Sequence, residues 1–241
     1  MKTNAIQCKK LNKRFADKQV LSDIDLTVNQ GEYFGLVGVN GSGKSTMIKA
    51  ILDLLSIDSG EIKLFGQSNR KVESRDKVSY LPDRFMPPSH LRGIDFIRYM
   101  LDLHAIECDD EVINTVLTAL ELDNSSMSVS VSKLSKGMTQ KLGLAVCLLS
   151  NKPLLVLDEP MSGLDPKARV LFKRQLKIRK NDNAALFFSS HVLADVDELA
   201  DRMAVIHEGK ILFVGVPEEF KETYKSDVLE EAYMNCIGQP V

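Results

Sequence analysis

Four short stretches hold residues whose types and spacing suit chemistry on phosphate. GVNGSGKST, Gly38–Thr46, fits the G-x-x-x-x-G-K-[ST] pattern of a polyphosphate cradle. Gly41 and Gly43 let the backbone wrap close to an anion while successive N–H groups point at it. Lys44 can reach the β and γ phosphates, the Ser45 hydroxyl can coordinate Mg²⁺, and Thr46 adds a hydroxyl near the α phosphate. PLLVLDEP (153–160) ends an apolar run on two carboxylates. Beside a cradle, Asp158 would hold magnesium through water, and Glu159 is the natural general base for water attacking the γ phosphate. LFFSSH ends in the same way on His191, a candidate for sensing the γ phosphate by hydrogen bonding. The fourth stretch, LSKGMTQKLGLAVCLLS (134–150), opens a helix at Ser135. Its unpaired first-turn N–H groups, beside Lys136 and Gly137, form a second phosphate-seeking site roughly ninety residues beyond the first.

The elements that must position these residues follow from hydrophobic periodicity. SDIDLTV alternates Ile24, Leu26 and Val28 with polar residues, so the first thirty residues read as antiparallel strands. EYFGLV (32–37) is a short apolar strand that runs into the glycine loop, followed by a helix expected from Lys44 to Leu55. EIKLF and KVSYL read as further strands. From Pro82 to Ser150 the pattern is helical, as in GIDFIRYMLDLH and EVINTVLTALEL. The helix from Ser135 is apolar nearly all round, so it should be buried with only its start exposed. PLLVLD, ALFFSS and RMAVIH then read as strands buried on both faces of a parallel sheet. KILFVG and one long helix, PEEFKETYKSDVLEEAYM, are expected to close the chain.

Composition narrows the options. A chain of 241 residues, 44% hydrophobic and 27% charged, can bury a full core as one domain or a domain with a subdomain. A net charge of −2 gives no electrostatic reason to expect a nucleic-acid partner. The longest apolar run, LGLAVCLL, falls far short of the ~20 residues of a membrane span, and MKTNAIQCKKL lacks a secretory h-region. Cys8, Cys108, Cys147 and Cys236 have neither metal-ligand nor disulfide spacing and read as reduced thiols of a cytoplasmic protein. Any membrane role therefore needs a partner that supplies the membrane part. KARVLFKRQLKIRK carries seven Lys or Arg in fourteen residues. It reads as a solvated helix face, with binding to anionic lipid headgroups as the sharper alternative.

In this order the motifs resemble the nucleotide-binding subunits of ATP-binding cassette (ABC) transporters, from Ala5 to Glu219. The resemblance implies an α/β P-loop NTPase (RecA-like) fold. It has a parallel sheet core, an N-terminal antiparallel β subdomain and an inserted α-helical subdomain. As one ABC ATPase domain, 1–241 would divide into the core with its β subdomain (1–83 and 151–215), the helical subdomain (84–150) and a C-terminal helix (216–241). GVNGSGKST becomes Walker A, LSKGM the signature, LVLDE Walker B, SGLDP the D-loop and His191 the switch histidine. The implied nucleotide contacts are Phe15, stacking on adenine, with Gly38, Asn40, Gly41, Ser42, Gly43, Lys44, Ser45, Thr46, Ser135 and Gly137. Glu159, His191 and Lys44 would be catalytic, and Ser45, Asp83 and Asp158 would hold Mg²⁺. Two features depart from the family: Lys136 and Met138 stand where LSGGQ has glycine and glutamine, and Asp83 replaces the usual Gln.

"SKGM" and "YLP" followed by an acid look like the subunits that pair with ABC-2-type membrane proteins, many of them exporters. The resemblance thus implies an ATPase using ATP and Mg²⁺, working as a homodimer or pseudo-symmetric heterodimer. It would drive an integral membrane transporter subunit from the cytoplasmic side of the inner membrane. The alternatives are an ABC ATPase that powers protein maturation or remodelling at a membrane, and a soluble one such as an iron–sulfur assembly factor. A GTPase is disfavoured, since no N-K-x-D motif is present.

Overall fold

The computed structural model of the chain describes residues 4–107 and 109–238; Cys108 lies outside them. A long hairpin, β1 (Asn4–Phe15) and β2 (Lys18–Asn29), precedes β3 (Tyr33–Val37), the glycine loop and α1 (Lys44–Ile51). β4 (Ser59–Leu64) and β5 (Gln67–Ser68) follow, then α2 (Val72–Arg75) and β6 (Val78–Leu81). Next come α3 (Gly93–Leu103), α4 (Asp110–Ala119), α5 (Asn124–Met127) and α6 (Lys136–Leu149). The chain continues with β7 (Leu154–Asp158), α7 (Pro166–Asn181), β8 (Ala185–Ser190), α8 (Leu193–Leu199), β9 (Arg202–His207) and β10 (Lys210–Gly215). It closes with α9 (Pro217–Thr223) and α10 (Leu229–Cys236).

Two sheets form. One has the order β2-β1-β4-β5 and is antiparallel. The other has the order β10-β9-β3-β8-β7-β6, with every pairing parallel except the edge strand β10 on β9. The parallel strands read as unbroken apolar runs because both of their faces are covered. Phe34, Leu36, Leu154 and Val156 pack toward α1 and the antiparallel sheet, whereas Tyr33, Val37, Leu155 and Leu157 pack toward the helices on the other side. Between Pro82 and Ser150 the described residues hold no strand, only an isolated bridge from Arg92 to Ser130.

α6 is buried from Leu142 to Leu149, and its first turn is the accessible end, as expected. It lies so close to the segment after β6 that a Cβ on Gly143 would sit 2.5 Å from Leu81 Cδ1 and 2.9 Å from Phe85 Cδ1. The basic α7 is a charge-matched surface helix. Lys173 Nζ lies 2.8 Å from Asp195 and 2.6 Å from Glu198, Lys180 lies 2.5 Å from Asp201, and Lys167 lies 2.6 Å from Glu121. Such pairing leaves less unmatched positive charge for a lipid surface.

Two expected helices are corrected. The first stops at Ile51 rather than Leu55, because Asp53 turns into the left-handed region at φ 57°. The C-terminal helix is two helices. Lys225 sits at φ 55° after α9, and the Ser226 hydroxyl accepts from the Val228 N–H just before α10.

Candidate active site

β3 delivers the chain to the carboxyl edge of the parallel sheet, where ligands of open α/β sheets bind. Only glycine fits the turn that follows. A Cβ on Gly38 would sit 2.4 Å from the Ile206 carbonyl oxygen and 2.5 Å from Ser42 Oγ. Gly43 has φ 117°, and a Cβ there would come within 2.9 Å of the Val20 carbonyl. Gly38→Ala should therefore cost about 1–3 kcal/mol as the loop moves aside. Thermal unfolding should register this as a fall of about 2–12 °C in Tm, with nucleotide titration showing weaker binding. An unchanged Tm with full binding would show that the loop has slack.

The turn opens a cleft of about 250 Å³ lined by Asn40, Gly41, Gly43, Lys44, Ser45, Thr46, Asp83 and Glu159, with Val20 from the hairpin. Gly38 and Ser42 are not among its lining residues. The Ser42 hydroxyl is buried without a hydrogen-bond partner among the described residues, and its N–H donates to the Val39 carbonyl at 3.2 Å. Lys44 is only 6% exposed, and its ammonium donates to the Gly38 carbonyl at 2.6 Å and the Val39 carbonyl at 3.4 Å. On the outer side of the same loop, the Val39 N–H donates to the Tyr233 hydroxyl at 3.1 Å.

The carboxylates meet this cradle from β7. Glu159, 12% exposed, places Oε1 3.3 Å from Lys44 Nζ and Oε2 2.7 Å from His191 Nδ1. Its backbone is left-handed, at φ 50°, an uncommon conformation for glutamate and one that must be held by its surroundings. Ser189 supplies that hold. Paired with Asp158 across β7 and β8, its hydroxyl donates to Asp158 Oδ1 at 2.6 Å and accepts from the Glu159 N–H at 2.9 Å. The sequence hinted at Ser189 only through two small polar residues ending an apolar strand. Burial pushes the Asp158 carboxyl above the ordinary carboxylate range, and hydrogen bonds from Ser189 and Ser45 pull the other way.

Among the described residues no cluster of three His, Cys, Asp or Glu side chains could hold a metal by itself. A hydroxyl (Ser45) beside a carboxylate (Asp158), with the Asp83 charge near them, instead suits Mg²⁺. That ion commonly takes one or two carboxylates and completes its octahedron with phosphate oxygens and water.

Seven expected residues lie outside the cleft lining: Gly38, Ser42, Asp158 and His191, described above, and Phe15, Ser135 and Gly137. Phe15 ends β1 and is 46% exposed, with Lys13 Nζ 5.1 Å from its ring centroid, so it is a surface aromatic and not a core one. Ser135 is exposed at the start of α6, where its hydroxyl accepts from the Met138 N–H at 3.2 Å. Gly137 faces the D-loop: a Cβ there would lie 3.4 Å from the Gly163 carbonyl. Lys136, one of the unusual signature residues, lays its side chain over Gly163, with Cε 3.3 Å from where a Cβ on that glycine would stand.

The parallel sheet and glycine cradle, with Asp158 and Glu159 at the sheet's carboxyl edge, define a P-loop nucleotide-binding ATPase. The ABC transporter family model matches residues 21–162. The chain is 33% identical over 232 residues to a Nod factor export ATP-binding protein of Burkholderia lata, covering 93% of this chain and 75% of that one. It is 32% identical over 208 residues to a bacitracin transport ATP-binding protein of Bacillus licheniformis, covering 84% and 66%. It spans 56% of the length of an uncharacterised ABC transporter ATP-binding protein of Synechocystis, at 33% identity over 81% of this chain. A solved ATP-binding subunit of an ABC transporter superposes with a TM-score of 0.88 at 25% identity, over 97% of this chain and 99% of that one. A dimeric cassette bound to ADP and phosphate shares the fold, with a TM-score of 0.79 at 20% identity over 88% and 98%. The chain belongs to the ABC transporter family, as an ATP-binding subunit with ATPase activity.

Proposed function

We propose that this single ABC ATPase domain, with 84–150 as its helical subdomain, works in a dimer and drives an ABC-2-type membrane subunit, in the direction of export. The observation that carries the reading is the place of Ser135 and Gly137. They stand at the accessible end of α6 and do not line the cleft formed by their own chain's cradle. A second chain, arranged head to tail, would bring its Ser135–Gly137 to that cleft, and two ATP molecules would be sandwiched. Export is favoured because relatives in the Nod factor and bacitracin systems carry export and transport names. Among the described residues no helix is long and apolar enough to cross a membrane, so the partner supplies the spans. We place the subunit peripherally on the cytoplasmic side of the inner membrane, with no nucleic-acid partner.

In this reading the loop N–H groups and Lys44 hold the β and γ phosphates, and Phe15 stacks on the adenine. Ser45, Asp158 and Asp83 hold Mg²⁺, which when bound neutralises charge on the phosphate oxygens. Glu159 accepts the proton of the attacking water, and His191 holds the other oxygen of that carboxylate. Loss of the phosphate that glues the chains together loosens the dimer, and so turns hydrolysis into motion.

Asp83 connects the cleft to an exposed surface at 84–92 that we assign to the membrane partner. Met86 is 85% exposed there, whereas Phe85 packs edge-on against Phe96 with ring centroids 5.8 Å apart. Arg84 makes no ion pair among the described residues, but Arg92 is forked onto Asp95 at 2.5 and 2.8 Å. Charge reversal at Arg92 would thus also disturb α3, which makes Arg84→Glu the cleaner probe. It should weaken stimulation of ATPase activity by the co-purified membrane subunit about tenfold, equivalent to ~1.4 kcal/mol, with basal ATPase within about twofold. Crosslinks from the partner that consistently avoid residues 83–100 would remove this surface. Co-purification with a wholly soluble complex would remove the transporter reading itself.

A further inference from the structure

The C-terminal helix reaches the phosphate loop through the side chain of Tyr233. Tyr233, on α10, is 6% exposed and packed in the same apolar cluster as Leu193 and Val196 of α8. Its hydroxyl accepts the Val39 N–H at 3.1 Å, across 194 residues of chain. The peptide unit that carries this N–H also carries the Gly38 carbonyl, which accepts from Lys44 Nζ at 2.6 Å. A peptide group is planar, so its N–H and C=O directions are fixed together. Holding one end of the Gly38–Val39 plane with a tyrosine sets where the other end points.

We propose that Tyr233 is a positioning residue for the nucleotide site: by clamping the Gly38–Val39 peptide it fixes the carbonyl on which the Lys44 ammonium rests. Two features make that peptide a point of control. First, a peptide next to glycine has little steric resistance to rotation, and Gly38 has no side chain because one would strike Ile206 and Ser42. Second, the ammonium polarises the carbonyl, which strengthens the N–H as a donor to the tyrosine, so the two bonds support each other. Without the hydroxyl, the N–H must turn toward water or another acceptor, and the carbonyl turns with it. Lys44 then loses its defined position in the cleft. The hydroxyl touches no reacting atom in this arrangement, so its loss should act on nucleotide capture and leave the chemical step almost alone. The docking of α10 thereby becomes a determinant of ATP affinity.

The inference rests on the reading of Gly38–Thr46 as the nucleotide cradle, and the test separates the two. Tyr233→Phe keeps the ring in its apolar seat and removes only the hydroxyl. Tyr224→Phe is the matched control, since that hydroxyl lies beside Cys236 in the C-terminal segment and not at the loop. Equilibrium binding of a fluorescent ATP analogue and steady-state ATPase kinetics are measured on both, together with Lys44→Ala and thermal unfolding. Tyr233→Phe should raise Kd and KM for ATP about three- to tenfold, the scale of one hydrogen bond, with kcat within about twofold. Tyr224→Phe should leave Kd and KM unchanged. Wild-type Kd and KM in Tyr233→Phe, or equal weakening in the two Phe variants, would overturn the clamp while leaving the cradle intact if Lys44→Ala still loses binding. Undiminished binding by Lys44→Ala would overturn the cradle, and the clamp with it.

Discussion

Glu159→Gln should bind ATP at least as tightly as the unaltered chain and hydrolyse it about 10²–10⁴ times more slowly, the usual worth of a positioned general base. The amide keeps the size of the carboxylate and can still accept a hydrogen bond from His191 Nδ1, now at 2.7 Å. It cannot take a proton from water. Nor can it pair with Lys44, whose ammonium lies 3.3 Å from the carboxylate, so a competitor for the phosphate-binding lysine disappears. ATP-bound dimers should accumulate. Lys44→Ala should fail in the opposite way, losing about 10- to 100-fold in ATP affinity, because hydrogen bonds to a charged group are worth ~1.5–3 kcal/mol. Nucleotide binding and ATP turnover measured side by side on the two variants decide the matter. Normal turnover by Glu159→Gln would remove its assigned role.

Mixing two nearly inactive chains should restore hydrolysis. In a head-to-tail dimer, a Lys44→Ala chain lacks a working cradle in each site, and a Ser135→Arg chain lacks a working signature in each. A mixed dimer has one site damaged twice and one site intact, so equal mixing should recover a substantial fraction of activity from a background at least about tenfold lower. Ser135 does cap its helix, with its hydroxyl 3.2 Å from the Met138 N–H, and capping alone is worth about 1 kcal/mol. If capping were its whole purpose, Ser135→Arg would lower Tm and spare turnover, and mixing would restore nothing although mixed dimers form. ATPase assays at several mixing ratios, with a native-mass check that mixed dimers are present, separate the two.

The parallel strands were legible because burial on both faces writes itself as an unbroken apolar run: ALFFSS and RMAVIH became β8 and β9 at those residues. The glycine loop was legible because its sterics leave no other residue type at Gly38. The break near Lys225 was not, since helical periodicity runs on through 217–234 and only the backbone at Lys225 and the Ser226 hydroxyl interrupt it. The ion pairs of α7 were also hidden, because Asp195, Glu198 and Asp201 lie far along the chain and only the sheet order brings them alongside. Tyr233 illustrates the limit most sharply. In sequence it is one aromatic on an amphipathic helix, and nothing in its neighbours points to a peptide in the phosphate loop.

The missing side chain at Gly143 has a mechanical consequence. α6 runs for 14 residues, a rod of about 21 Å whose exposed start carries Ser135 and whose flank rests on Leu81 and Phe85. A long, bendable side chain at that contact would act as a cushion and absorb small rotations. Backbone seated directly on two side chains leaves less room for such adjustment. A rotation of the tip would therefore press directly on the stretch bearing Asp83, two residues from each of those contacts, and a push arriving there from outside would bear on the helix in turn.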